Sequence, residues 1–230
     1  MAREVRIIGL EGLPTITPGM DLAEVITAAV QVQRIVFESG DVLVVTQKIV
    51  SKAEGRLIDV HTVEPSAFAR QIAAIQEKDA RVMEIVLRET KRLVRMDQRI
   101  FIAETHHGFV CAHAGVDESN VAGDGMVALL PVDSNASARR LREAIQTRTG
   151  VELAVVISDT FGRPWREGLV NVAIGVAGLD PIKDYRGLPD TEGRIMKVTA
   201  LAVADELASA AELVMGKLER IPVAVIKGYP

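Results

Sequence analysis

Three short runs, at residues 42–45, 152–157 and 222–226, apolar but for Glu152, limit what this chain can fold into. Each is far below the roughly 20 residues that a membrane-spanning helix needs. Each suits a strand buried on both faces. Amphipathic stretches lie between them. Asp21 reads as a helix N-cap with Glu24 as its reciprocal partner, opening a helix that buries Leu22, Val25, Ile26, Ala29 and Val30 and ends at Gly40-Asp41. Residues 66–76 and 78–91 read as two more helices, with Pro65 suited to a first turn. Residues 135–149 form another, closed by Gly150, and residues 198–215 a long one. Further strands are expected at residues 4–10, at 99–110 around a turn at His106-His107-Gly108, and at 170–176. Strands and helices alternate irregularly, so the expected class is mixed α/β (α+β), not a repeated βαβ unit. No linker stands out. Residues 1–230 read as one domain or as two interlocked smaller ones.

Composition removes several function classes. With 48% hydrophobic and 25% charged residues the chain has apolar surface enough to fold. A net charge of -4 and 3% aromatics argue against nucleic acid as a partner. Glu4 and Glu11 flank the first apolar stretch, which is therefore no signal peptide, and no membrane segment is expected. The single cysteine, Cys111, excludes intrachain disulfides and thiolate clusters, and a cytoplasmic location is expected.

The common phosphate and metal motifs are absent: no Walker loop, no Gly-x-Gly-x-x-Gly after a strand, no His-Glu-x-x-His, no paired Cys-x-x-Cys and no Gly-x-Ser-x-Gly elbow. Four features remain. Asp117 and Asp159 each sit in a loop at a strand end, near Asn120 and Thr160, as oxygen donors for a hard divalent cation would; each could equally cap a turn. Residues 46–56 carry Lys48, Lys52 and Arg56 after a buried strand, either to neutralise phosphates or as a solvated basic loop. Arg163 and Arg166 flank the only tryptophan, Trp165, between two glycines. That arrangement suits a planar anionic ligand, or Trp165 is simply a packing anchor. His106, His107 and His113 carry weaker signals, with His113 the one nearest an aspartate.

Read together, these strings resemble a known family. They are Glu11-Gly12-Leu13-Pro14, residues 44–56, residues 114–120, residues 158–166 and Ala204-Asp205-Glu206, in that order. The chain resembles the coenzyme F420-0:L-glutamate ligases, or F420 gamma-glutamyl ligases, over nearly its whole length. The resemblance implies a GTP-dependent amide ligase of coenzyme F420 biosynthesis, built as an intertwined homodimer. It implies addition of L-glutamate to F420-0, and of further gamma-linked glutamates, with Mg or Mn and in some members K. Carried over by motif, Gly12, Leu13, Pro14, Thr15, Gln47, Lys52 and Asn120 are expected to contact GTP. Asp117 and Asp159 are expected to ligate one metal and Thr160 a second, with Lys52 as a fixed catalytic cation beside the two aspartates. Arg163 and Arg166 are assigned to the substrate from their side-chain chemistry. One departure stands out: Lys217 occupies a position where a Glu ligand is expected, in a segment shorter than the archaeal one. In this the chain resembles the bacterial type, and a stand-alone ligase domain is expected. The competing readings are a metal-dependent nucleotide phosphohydrolase on the same aspartates and a non-catalytic GTP sensor.

Overall fold

In the structure, a computed structural model that describes residues 3–119 and 123–230, the three apolar runs become adjacent strands. The chain runs β1 (Arg6–Gly9), α1 (Leu22–Val32), β2 (Val42–Thr46), α2 (Gln47–Ala53), β3 (Leu57–Asp59), α3 (Ala67–Gln76), α4 (Ala80–Glu89), β4 (Thr90–Met96), β5 (Phe101–Thr105), β6 (Val110–Ala112) and β7 (Met126–Ala128). It continues through α5 (Ser134–Thr149), β8 (Ala154–Gly162), β9 (Leu169–Ala177), β10 (Lys183–Asp184), β11 (Ala200–Leu201), α6 (Val203–Met215) and β12 (Val223–Lys227). The main sheet has the order β1-β12-β2-β8-β9, with β2 and β8 parallel and the other pairs antiparallel. The class is mixed α/β.

Alternation along the central strands builds a core on each face of this sheet. Leu43, Val45, Val155, Ile157, Val223 and Val225 pack with Ile26 and Val30 of α1 and Leu141 and Ile145 of α5. Val42, Val44, Val156, Ala224 and Ile226 pack with Leu207, Ala211 and Met215 of α6. Cover on both faces is why these runs lack the polar half of an ordinary strand. A separate cluster lies between α3, α4, β5 and β7, where Ile72, Met83, Ile85, Val86, Phe101 and Val127 meet. The molecule therefore has a sheet-centred body and a smaller one carrying residues between β3 and β7.

The structure departs from the sequence reading in several places. Helix α1 ends at Val32 and not at Gly40. Strand β8 runs on through Asp159 to Gly162, so Asp159 is a strand residue and not a loop residue. Strands β3, β7 and β10 lie where none is expected. Residues 47–53, expected in a polar loop, form helix α2, because Ile49 and Val50 turn inward and Gly55, at φ +70°, ends it. Strand β4 lies where no strand is expected, since five of its seven residues are exposed and show no alternation. It is held by pairing with β5 and by Lys91 and Arg92 on Glu104 at 2.9 Å each. The last helix starts at Val203 and not at residue 198, because the stretch before it supplies β11, which pairs with β10. Among the described residues no helix is long and apolar enough to cross a membrane.

Candidate functional site

Strand direction gathers the expected residues at one end of the main sheet. β1, β2 and β8 run the same way, and the chain leaving each carries a candidate: Gly12–Thr15 after β1, Lys48 and Lys52 after β2, Asp159 and Thr160 within the far end of β8. In sheets with parallel strands, ligands gather at the carboxyl ends. The segment entering β12, which holds Gly216 and Lys217, arrives at this same end.

A bulge on the neighbouring strand lies beside Asp159. Ile157 pairs with Gly175 but Ser158 pairs with Ala173, so Ile174 is an extra residue on β9. Bulges of this kind re-aim the side chains beside them. The freed Ala173 N–H donates to Asp205 Oδ1 at 2.8 Å. This gives Asp205 a structural task. Beside the bulge, Gly175 allows close helix packing: a Cβ there would lie 2.3 Å from the Ser134 carbonyl oxygen.

Asp117 comes from the smaller body. His113, Ala114 and Gly115 take three successive left-handed conformations, at φ 49°, 52° and 73°. This tight reversal costs backbone strain at the two non-glycine residues. It delivers Asp117 into a two-bond bridge with Ala128, at 3.0 and 2.8 Å.

The two aspartates share one electrostatic neighbourhood. Lys48 Nζ pairs with Asp117 Oδ2 at 2.6 Å and also reaches Ser119. Burial pushes the Asp117 carboxyl up, but Lys48 and the hydroxyl and N–H of Ser119 outweigh it and hold the group below the usual carboxylate range. Asp159 accepts the N–H of Thr160 at 2.8 Å and, among the described residues, has no ion pair. Burial pushes it up to about 6, and the negative Asp117 nearby adds to this, while Lys48 and Lys217 pull the other way. Lys52 faces the same cluster: burial lowers its ammonium first, the like charge of Lys48 second, and Asp117 opposes both.

The remaining candidates fall into place unevenly. Gln47 is 1% exposed, and both its amide atoms are buried without a hydrogen-bond partner among the described residues. Orphaned buried amides mark a place for water or ligand. Gly12, Pro14 and Thr15 are exposed, with Gly12 at φ +70°, while Leu13 packs on the core. Asn120 lies outside the described residues. Arg163 turns its guanidinium back onto the carbonyl oxygens of Glu167 and Gly168, closing its own loop, and Arg166 is exposed. Trp165 is 72% exposed, so it does not anchor packing within this chain. The histidines have structural contacts: His106 with the Arg88 carbonyl, His107 with the Pro131 carbonyl, and His113 stacked on Phe101. The Cys111 thiol is pushed up to about 12, by burial first and the Asp159 charge second.

These donors fit a hard divalent ion. Asp117 and Asp159 offer oxygen, and Asp159 is an enclosed carboxylate that, among the described residues, has no direct ion pair. Magnesium and similar ions usually take one or two carboxylates and fill the rest of their shell with water and substrate phosphates. That is what two carboxylates can serve, since no group of three or more His, Cys, Asp or Glu side chains is gathered among the described residues. Sequence reasoning missed two members of the site, Asn171 and Glu212. Neither sits in a motif: Asn171 is a buried polar residue in a strand, 2% exposed, and its role is visible only from its contacts.

A coenzyme F420:L-glutamate ligase of Methanothermobacter thermautotrophicus is 47% identical over 227 residues, covering 98% of this chain and 90% of its own length. That of Methanopyrus kandleri is 47% identical over 214 residues, covering 93% and 82%. That of Methanocaldococcus jannaschii is 41% identical over 227 residues, covering 98% and 88%. Residues 12–228 match the family described as F420-0:gamma-glutamyl ligase, a span that takes in both aspartates, both lysines of α2 and the turn after α6, and the chain belongs to that family.

Proposed function

We propose that this protein joins L-glutamate to coenzyme F420-0, and adds further gamma-linked glutamates, at the expense of GTP. The observation that carries the reading is the nearness of Asp117 to an enclosed Asp159 that has no ion pair among the described residues, beside Lys48 and Lys52. The names of the relatives support the two substrates.

A free carboxylate does not acylate an amine at neutral pH, so it must first acquire a leaving group. In the proposed course a carboxylate oxygen of F420-0 attacks the γ-phosphorus of GTP, and GDP departs. The amine of glutamate then attacks the acyl carbon, and phosphate leaves. Asp117 and Asp159 would hold Mg or Mn, which when bound neutralises charge on the β- and γ-phosphate oxygens. Lys48 fixes the orientation of Asp117 through its ion pair. Lys52 stands one helical turn further on and sets a second positive charge against the phosphate chain. Such preorganised charge is worth more than its equivalent in water, because it needs no reorganisation during reaction. The orphaned Gln47 amide and the exposed loop at residues 12–15 supply nucleotide contacts.

The reading includes a homodimer. Trp165, Leu169, Leu213 and Leu218 are 72%, 69%, 85% and 86% exposed, apolar surface that a second copy would cover. Sedimentation velocity measures this directly. The reaction is tested by incubating the protein with GTP, Mn, glutamate and F420-0 and weighing the product. The expected result is F420-0 extended by glutamyl units, with GTP consumed only when both other substrates are present. GTP hydrolysis without an acceptor would point to a phosphohydrolase, and tight binding without a new amide to a sensor.

A further inference from the structure

Four side chains close a ring next to Asp159. Lys217 Nζ donates to Thr160 Oγ1 at 2.5 Å. The Thr160 hydroxyl donates to Asn171 Oδ1 at 2.7 Å. Asn171 Nδ2 donates to Glu212 Oε2 at 2.8 Å. Glu212 Oε1 pairs with Lys217 Nζ at 3.0 Å, which completes the circuit. The members come from β8, β9, α6 and the turn after α6, so the arrangement is built by the tertiary fold and not by one local turn.

The backbone is shaped to place the lysine. Gly216 sits at φ 60° and ψ -167°, a conformation essentially confined to glycine. A Cβ there would lie 2.0 Å from a carboxylate oxygen of Glu219. The reversal at Gly216 sets Lys217 just past the carboxyl end of α6, where the helix favours positive charge.

The ring is rich in oxygen on the side where the ammonium lies. Thr160 Oγ1 and Glu212 Oε1 both face Lys217 Nζ, and Asp159, next in sequence to Thr160, feels the Lys217 charge. A hydroxyl and two carboxylates are the donors that a hard cation takes. Here an ammonium already uses two of them. Its side chain is 57% exposed, so its remaining donor can reach a bound ligand.

We propose that Lys217 is a tethered cation, a positioning residue that fills the place where Thr160, Glu212 and Asp159 would otherwise hold a second divalent ion. The protein then carries a single divalent site, at Asp117 and Asp159, and its second positive charge travels with the chain. With the ammonium removed, Thr160 and Glu212 face each other across an uncompensated negative hollow, and the hollow takes up a metal. The inference rests on the proposed site for the first ion.

The test is a titration of metal-free protein with Mn2+ alone at pH 8, following the free-ion signal by electron paramagnetic resonance and the heat by calorimetry. The wild type is expected to bind one ion per chain. Lys217→Ala is expected to bind two, and Lys217→Arg one. Lys217→Gln keeps the hydrogen bond to Thr160 without the charge and is also expected to bind two, so it decides the matter should the alanine variant fail to fold. Two ions in the wild type, or the same count in wild type and both neutral variants, overturns the proposal. Failure of the ligase reading shows elsewhere, as a wild type that forms no glutamyl adduct by mass whatever its ion count.

Discussion

Asp117 and Asp159 are the same side chain in the same neighbourhood, and the protein treats them oppositely. Asp117 belongs to the smaller body, reaches the site through a strained reversal and is neutralised by Lys48 at 2.6 Å. Its carboxyl is held below the usual range in spite of burial. Asp159 belongs to the main sheet, lies beside a bulge in β9 and accepts a backbone N–H without an ion pair among the described residues. Its carboxyl is pushed up to about 6. One carboxylate has its cation supplied by the chain, and the other has it withheld. The contrast identifies Asp159 as the group whose stability depends on what binds.

Substitutions can break this contrast. The largest effect is expected from Asp159→Asn: kcat for ligation falls by at least about 100-fold, the scale of losing a preorganised charge contact. The same variant gains up to about 3 kcal/mol of stability without metal at pH 8, because the folded wild type must ionise a carboxyl that prefers its proton. Asp117→Asn also removes ligation but moves stability the other way, by about 1 kcal/mol, since Lys48 loses its partner. A calorimetric melt of both variants checks the opposed signs. Lys52→Met comes next, with kcat lowered on the order of 10- to 100-fold and the fold intact, read from steady-state kinetics in GTP. The smallest effect is expected at the hairpin tip. Arg166→Ala should raise KM for F420-0 a few-fold with kcat unchanged, as for a contact equally strong in ground and transition states.

How much of this was legible in the sequence depends on what each residue packs against. The three central strands were legible because burial on both faces leaves them uninterrupted. Helix α1 was legible from its cap, and Glu24 N–H does donate to Asp21 Oδ1 at 3.1 Å. Gly150 closes α5 in the left-handed conformation, as its position suggested. Helix α2 has seven residues, too few for a periodic pattern, and its lysines hid its buried face. Strand β4 is stabilised by pairing and not by burial, so its composition carries no alternation. The aspartates stood out as strand-end carboxylates, but Asp117 comes near Asp159 after three successive left-handed residues, which leave no mark in spacing. The Lys217 ring was invisible for the same reason, because two of its members, Asn171 and Glu212, are ordinary residues until the fold joins them.

The most direct test follows stability against pH in metal-free protein, as the difference between the wild type and Asp159→Asn. A carboxyl whose folded pKa is raised binds more protons folded than unfolded, so its stabilising contribution is complete below the unfolded value of 3.8 and is lost as pH rises through about 6. His113, held below its usual value mainly by burial, works the opposite way, and the difference between the two proteins cancels it. The account predicts that the wild type loses stability relative to the variant between pH 4 and pH 7, and that Mn2+ at pH 8 restores the wild type alone. Parallel profiles for the two proteins, or an equal response of both to Mn2+, would contradict it.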